Sequence, residues 1–236
     1  MPHEEMTEQQ VANYLHLDRR EVHKLASRGV LPGRRVGSAY RFRKGQVDHW
    51  VELQMHELPA QRLAMIEKGV SEHHGFEHEA PLIVPMIPAG GLAAPLLGRT
   101  RDGAIRALAD LADKAELLYD RDKLVMEIRQ REELCTTAIL PGVALPHPRH
   151  PLPNDIASSF VVAGAAPAGI PFGALDGSLT RLFFLICCKD DRTHLHVLAR
   201  LGQMLQEPGA VEDFIHAADA DELGRVLRRH EQAILK

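Results

Sequence analysis

Residues 179–188 read LTRLFFLICC. From Leu182 onward the run is apolar without a break, far short of the roughly 18 residues a membrane helix needs. A strand with one wet face would alternate apolar and polar positions, so this run suits a strand covered on both faces. Ser158 to Gly164, SSFVVAG, reads as a second strand. Upstream, Arg101 to Ala115 has helical periodicity, with Ile105, Leu108, Leu111 and Ala112 on one face. Another helix is expected over Arg121 to Glu132, and three more near 193–206, 208–217 and 219–234. PLIVPMIPAGG and APLLG, between residues 81 and 98, read as short extended pieces. Strands alternating with helices predict an α/β domain over 81–236, a central mixed sheet flanked by helices.

Ahead of it, residues 1–57 form a different unit. Thr7 with Gln10 makes a capping box for a helix through Leu15, with Val11, Ala12 and Leu15 as its apolar stripe. Asp18 with Glu21 opens a second helix, which Gly29 stops. RRV and YRFR follow as two short strands joined at Gly37-Ser38-Ala39, a hairpin. A third helix after Lys44-Gly45-Gln46 packs through Val47, Trp50, Val51 and Leu53. Residues 58–80 read as a linker, with a short helix after Pro59 and then SEHHGFEHE, polar and without periodicity. The linker histidines could bind metal but show no fixed ligand spacing, so an exposed linker without metal or cofactor is expected.

The 236 residues are 45% hydrophobic and 25% charged, ordinary for a globular chain. Three cysteines, Cys135, Cys187 and Cys188, cannot make a disulfide framework and point to reduced thiols. The N-terminal MPHEEMTEQQ lacks the basic and apolar regions of a signal peptide, so a cytoplasmic protein with no membrane span is expected. Charge is unevenly spread. Asp18 to Lys44 carries +7, which leaves −11 elsewhere in a chain of net charge −4. A basic block in an acidic chain suggests a polyanion partner for that block.

Helix, tight turn, helix and basic hairpin in this order make a winged helix-turn-helix, and a helix fits the major groove of duplex DNA. Arg19, Arg20, His23 and Lys24 lie on the open side of the second helix; Arg34, Arg35, Arg41 and Arg43 line the hairpin, within reach of flanking phosphates or the minor groove. Residues 6–52, MTEQQVANYLHLDRREVHKLASRGVLPGRRVGSAYRFRKGQVDHWVE, resemble the excisionase-type, MerR-like DNA-binding domains over their whole length. The landmarks are VANYL, RGVLPGRRVG and YRFRKGQVDHW. The resemblance implies binding to duplex DNA. One small module buries little DNA surface, so action as a homodimer or beside a partner is expected.

In the second unit the chemistry centres on TTAILPGVALPHPRH, residues 136–150. An apolar run delivers His147 to a strand end, and Pro146 and Pro148 stiffen the chain on both sides. A neutral imidazole nitrogen can attack phosphorus without a separate base, given donors for the phosphoryl oxygens. The segment EIRQREELCTTAILPGVALPHPR resembles the enzyme IIA components of the bacterial sugar phosphotransferase system, of the fructose, mannitol and nitrogen-regulatory type. Their motif RE…ST-G-I-…-G-I-A-I-P-H carries the phosphorylated histidine, which His147 matches, and the active-site arginine, which Arg131 matches. DDRTHLHVLARLGQML resembles the family helix that begins with a second active-site histidine, matched by His194. This sequence departs from the pattern at Ala138, where the family has Gly, at Pro141, and at Pro148-Arg149-His150.

The resemblance implies that His147 holds the phosphoryl group and Arg131 offers it a planar charged fork. His194, in a first helical turn, would bond the phosphoryl group or orient His147. Thr136 or Thr137 adds a hydroxyl donor, and His196 is structural. A phosphocarrier protein of the phosphotransferase system is the implied donor. The chain thus reads as a regulator with a DNA-binding output and a phosphoacceptor sensor. Three alternatives stand beside this reading: a plain phosphocarrier serving a sugar permease, a IIA-like sensor that is not phosphorylated, and a metal site built from His147, His150, His194 and His196.

Overall fold

The structure, a computed structural model, describes residues 5–15, 17–54, 59, 61, 63–65, 67, 82–138 and 140–235. The chain divides into two compact units, Met1–Ala80 with Leu198–Gln203, and Pro81–Val197 with Met204–Lys236. The described residues between 61 and 67 are helical, whereas the SEHHGFEHE stretch lies outside the described residues.

The first unit runs β1 (Glu5–Thr7), α1 (Glu8–Leu15), α2 (Arg19–Ser27), β2 (Arg34–Val36), β3 (Ala39–Arg43) and α3 (Lys44–Gln54). Thr7 and Gln10 form the reciprocal capping box, Gln10 N to Thr7 Oγ1 at 3.1 Å and Thr7 N to Gln10 Oε1 at 2.8 Å. Asp18 caps α2 by accepting from Arg20 N at 2.7 Å. At the far end Gly29 takes the left-handed φ of 71° that lets the chain leave the helix. Strand β1 was not legible in the sequence. It is three residues long and exists by pairing antiparallel with β3, Met6 opposite Phe42, in a sheet ordered β1-β3-β2. Met6, Val11, Leu15, Val22, Leu31, Phe42, Val47 and Val51 are all buried and make the core.

The chain continues with α4 (Ile83–Met86), β4 (Leu92–Ala93), α5 (Arg101–Lys114), α6 (Arg121–Leu134), β5 (Val143–Ala144), β6 (Phe160–Ile170), β7 (Thr180–Cys187), α7 (Asp191–Gln206), α8 (Ala210–Ile215) and α9 (Ala220–Ile234). The sheet is mixed, in order β4-β6-β7-β5. β6 and β7 are antiparallel, and each has a short parallel neighbour. The unbroken apolar run of β7 has the expected cause. Phe183, Leu185 and Cys187 join a core with Ala104, Ile105 and Leu108 of α5 and Leu124 and Ile128 of α6. On the other face Phe184 meets Phe214 of α8 edge-on, with centroids 5.6 Å apart.

Two expectations need correction. The piece around Ile83–Met86 is a helical turn, not extended. Its Val84 N–H donates to Glu231 Oε2 at 3.1 Å, and Ile83 N donates to the other oxygen of that carboxylate. A buried acid distant in sequence thus fixes the local conformation. Second, β6 runs six residues beyond Gly164, to Ile170. Pro167 is tolerated because the register with β7 shifts between Ala165 and Ile170, so its missing N–H leaves no ladder bond unmade. Cys135, Cys187 and Cys188 are free thiols, and burial pushes those of Cys187 and Cys188 upward, which makes them poor nucleophiles.

Candidate functional site

β5 and the chain after it are held against β7. Gly142 O accepts from Arg181 N and Leu182 N, Val143 pairs with Leu182, and Ile186 N donates to Pro146 O at 2.9 Å. That last bond, with proline on both sides, fixes the backbone at His147. The side chain is 4% exposed. Its Nδ1 lies 2.7 Å from the carbonyl oxygen of Leu145. A carbonyl only accepts, so Nδ1 carries the proton, and in the neutral ring Nε2 holds the lone pair. The Leu145 carbonyl thereby fixes the tautomer of the ring.

His194 comes to the same place from another layer. Asp190 caps α7, accepting from Thr193 N at 2.9 Å and Thr193 Oγ1 at 2.8 Å. His194 sits in the first turn, and its ring centroid is 4.8 Å from that of His147, with the planes inclined at 56°. The helix N-terminus favours negative charge at this point. His196, two positions on, is fully buried. Among the described residues no three His, Cys, Asp or Glu side chains converge as a metal set, so the four-histidine metal alternative has no geometric support.

Arg131 is buried near the end of α6, and its Nη1 donates to Cys135 O at 2.9 Å. The neighbouring segment is tightly organised. Thr136 Oγ1 accepts from Ala138 N at 3.1 Å, and Thr137 O accepts from Leu145 N at 3.1 Å, which ties the threonine turn to the strand end leading to His147. Sequence reasoning missed the group that anchors this turn. Glu132, 4% exposed, accepts from Thr137 N at 3.1 Å and also from the Thr137 hydroxyl. Its only sequence signal was the acid following arginine in the motif. Burial raises the Glu132 carboxyl above its ordinary range, although the Thr137 bonds, Arg101 and Arg131 pull the other way. Glu132→Ala should destabilise the second unit by about 2–3 kcal/mol, since two buried donors lose their acceptor. Glu132→Gln keeps an acceptor without the buried charge and should cost less. A proton held more tightly in the fold favours stability at low pH, an advantage lost as pH rises through the raised value. Urea unfolding of both variants across pH checks this, with the Gln variant showing the weaker dependence.

On the first unit Arg19, Arg20, His23 and Lys24 are all exposed along α2. Two of them have an internal partner that sequence did not reveal. Buried Glu8 accepts from Arg19 Nε at 3.2 Å, from His23 Nδ1 at 2.8 Å and from Tyr40 N at 2.9 Å. His23 also meets the Tyr40 ring edge-on at 5.4 Å. One carboxylate thereby links α1, α2 and the hairpin. Arg20 and Lys24 remain as the outward cations of α2, and Arg19 and His23 serve in part to brace it. Burial alone would raise the Glu8 carboxyl, but the bonds from His23, Tyr40 and Arg19 outweigh it and hold the group below its ordinary range. A depressed acid contributes stability above its unfolded value, ~4.3. That contribution is lost as pH falls through the folded value. Glu8→Ala is expected to cost about 2 kcal/mol at neutral pH and less in acid, measured by urea unfolding. Arg35 turns back to its own turn, Nε to Gly37 O at 3.2 Å, while Arg34, Arg41 and Arg43 stand on the outer face of the sheet.

The mixed sheet and its flanking helices match a fold found in known proteins. The chain belongs to the phosphoenolpyruvate-dependent sugar phosphotransferase system EIIA 2 family, whose pattern covers residues 95–230. Residues 5–54 match a helix-turn-helix domain. The chain is 32% identical over 131 residues to the fructose-specific EIIA component of Haloferax volcanii, covering 54% of this chain and 82% of that one. It is 33% identical to the nitrogen regulatory protein of Bradyrhizobium diazoefficiens, covering 52% of this chain and 80% of the relative. Against the fructose-specific EIIABC component of Bacillus subtilis identity is 25%, and the match spans only 21% of that longer protein. The fold is shared with the mannitol IIA of Escherichia coli, at 23% identity and TM-score 0.52 over 59% of this chain and 96% of that one. It is shared equally with the nitrogen regulatory IIA of Neisseria meningitidis, at 19% identity and TM-score 0.55 over 61% and 98%. No helix among the described residues is long and apolar enough to cross a membrane.

Proposed function

We propose that this protein is a transcriptional regulator of carbon or nitrogen metabolism whose DNA-binding output is controlled by phosphoryl transfer to His147. In this reading residues 1–57 bind duplex DNA, 58–80 connect, and 81–236 accept the phosphoryl group. The observation that carries it is the His147 imidazole, its Nδ1 on the Leu145 carbonyl and its ring against His194. The lone pair on Nε2 attacks phosphorus as the bond to the donor's imidazole breaks. The positive charge that forms on the His147 ring is shared with Leu145 O through the Nδ1 proton. In this reading Arg131 supplies a fork and His194 a donor to the phosphoryl oxygens, and Thr136 adds a hydroxyl. A phosphocarrier protein of the phosphotransferase system is the donor, consistent with relatives named as fructose-specific and nitrogen-regulatory components.

Phosphorylation adds close to two negative charges at neutral pH, the kind of local change that biases a two-state contact. DNA binding by the full chain should therefore differ between the phosphorylated and unmodified forms. Comparing their affinities for duplex fragments selected from a genomic library tests this, with His147→Ala as control. Equal affinity in both forms would leave a phosphocarrier that merely has a DNA-binding module attached.

A further inference from the structure

On the outer face of the three-stranded sheet Arg34, Arg41 and Arg43 gather around one carboxylate, Glu5, among the described residues. Arg34 on β2 is paired directly with Arg41 on β3, and Glu5 on β1 with Arg43 on β3. Arg41 and Arg43 alternate with buried Phe42, so both stand on the open side of the central strand. Like charges on directly opposed cross-strand positions destabilise a sheet, so this arrangement serves something other than stability. Together with Gln46 of α3 and Glu5, these arginines line an open cavity of about 610 Å³. Glu5 is the carboxylate at the site. It reaches across the central strand to Arg34 Nη2 at 3.5 Å, with the two side chains 49% and 73% exposed. An exposed pair at that distance contributes little and is readily exchanged.

We infer that this face is a seat for a backbone phosphate of duplex DNA, and that Glu5 occupies it in the free protein as an exchangeable internal anion. A phosphodiester presents the same pair of anionic oxygens as a carboxylate, and arginine's fork fits either. Binding then requires the Arg34–Glu5 contact to open and Glu5 to swing away. Glu5 thus lowers DNA affinity and acts as a brake against indiscriminate binding, while Arg34 and Arg41 take the phosphate between them. This inference rests on the DNA-binding reading of the first unit and adds to it a specific anion site and its internal competitor.

Binding of the full chain to a mixed-sequence DNA duplex, followed by fluorescence anisotropy at several salt concentrations, tests it with Glu5→Gln, Arg34→Ala and the double variant. Glu5→Gln should tighten binding about two- to fivefold, the scale of an exposed ion pair. The log-log salt slope should stay close to that of the unsubstituted chain, because Arg34 makes the same phosphate contact in both bound forms. In the Arg34→Ala background the same substitution should have little effect, because the contact it releases is already gone. Glu5→Ser repeats the comparison with a different side chain, and thermal melts check that all variants fold. Equal tightening in both backgrounds would mean general charge repulsion and would overturn the inference, as would no tightening at all, with the DNA-binding reading left standing. Absence of any binding by the unsubstituted chain at low salt would remove that reading and this inference together.

Discussion

Full-length protein carrying His147→Ala is expected to take up no phosphoryl group from phosphoenolpyruvate and the general phosphotransferase proteins, whereas the unsubstituted chain takes up one. The reason is geometric. Among the nitrogens of the site, Nε2 of His147 has its ring's proton held away from it by the Leu145 carbonyl, on a backbone fixed by Pro146, Pro148 and the Ile186 amide. The bound group should be lost in acid and kept in base, since the N–P bond breaks when the imidazole is protonated. His194→Ala should slow transfer without abolishing it, because it removes a donor and keeps the nucleophile; loss of one such donor typically costs about 10²–10³ in rate. Arg131→Ala should fall in the same range, and Arg131→Lys should restore only part of the rate, since an ammonium cannot reproduce a bidentate fork. His196→Ala, at a fully buried position, should show in stability rather than in labelling.

The second large effect concerns salt. With Arg20 and Lys24 on α2 and Arg34, Arg41 and Arg43 on the sheet as phosphate contacts, the log-log slope of affinity against salt should lie near −4.5. A fourfold rise in salt then weakens binding roughly 500-fold. Arg20→Ala and Lys24→Ala, on the exposed side of α2, should each weaken binding without unfolding the unit. A lost base contact would relax sequence preference, and a lost phosphate contact would weaken all sequences alike. A shallow slope, or unchanged affinity in both variants, would mean that another surface meets the DNA.

Much of this architecture was legible because its signals are local. The capping box of Thr7 and Gln10, the Asp18 cap, the left-handed Gly29 and the unbroken apolar run of β7 each act within a few residues, and each appears in the structure where the sequence put it. What escaped depends on partners far along the chain. β1 exists only because β3 pairs with it, and Ile83–Met86 is helical because Glu231 receives its amides. The site shows the same division. His147 announces itself between two prolines after an apolar run. Glu132 and Glu8 are acids among many acids until the fold brings the threonine turn to one and the Tyr40 amide to the other. His147 and His194 were paired by family resemblance, not by spacing; only the strand end and the helix start meeting in space bring their rings to 4.8 Å.

The phosphoryl group is expected on Nε2 of His147. Nuclear magnetic resonance of the phosphorylated full chain, with ¹⁵N-labelled histidine and ³¹P coupling, reads the bonded nitrogen directly. The expected spectrum shows one phosphohistidine, with phosphorus on Nε2 and the proton retained on Nδ1 of His147. Phosphorus on Nδ1, or on His194, would contradict it.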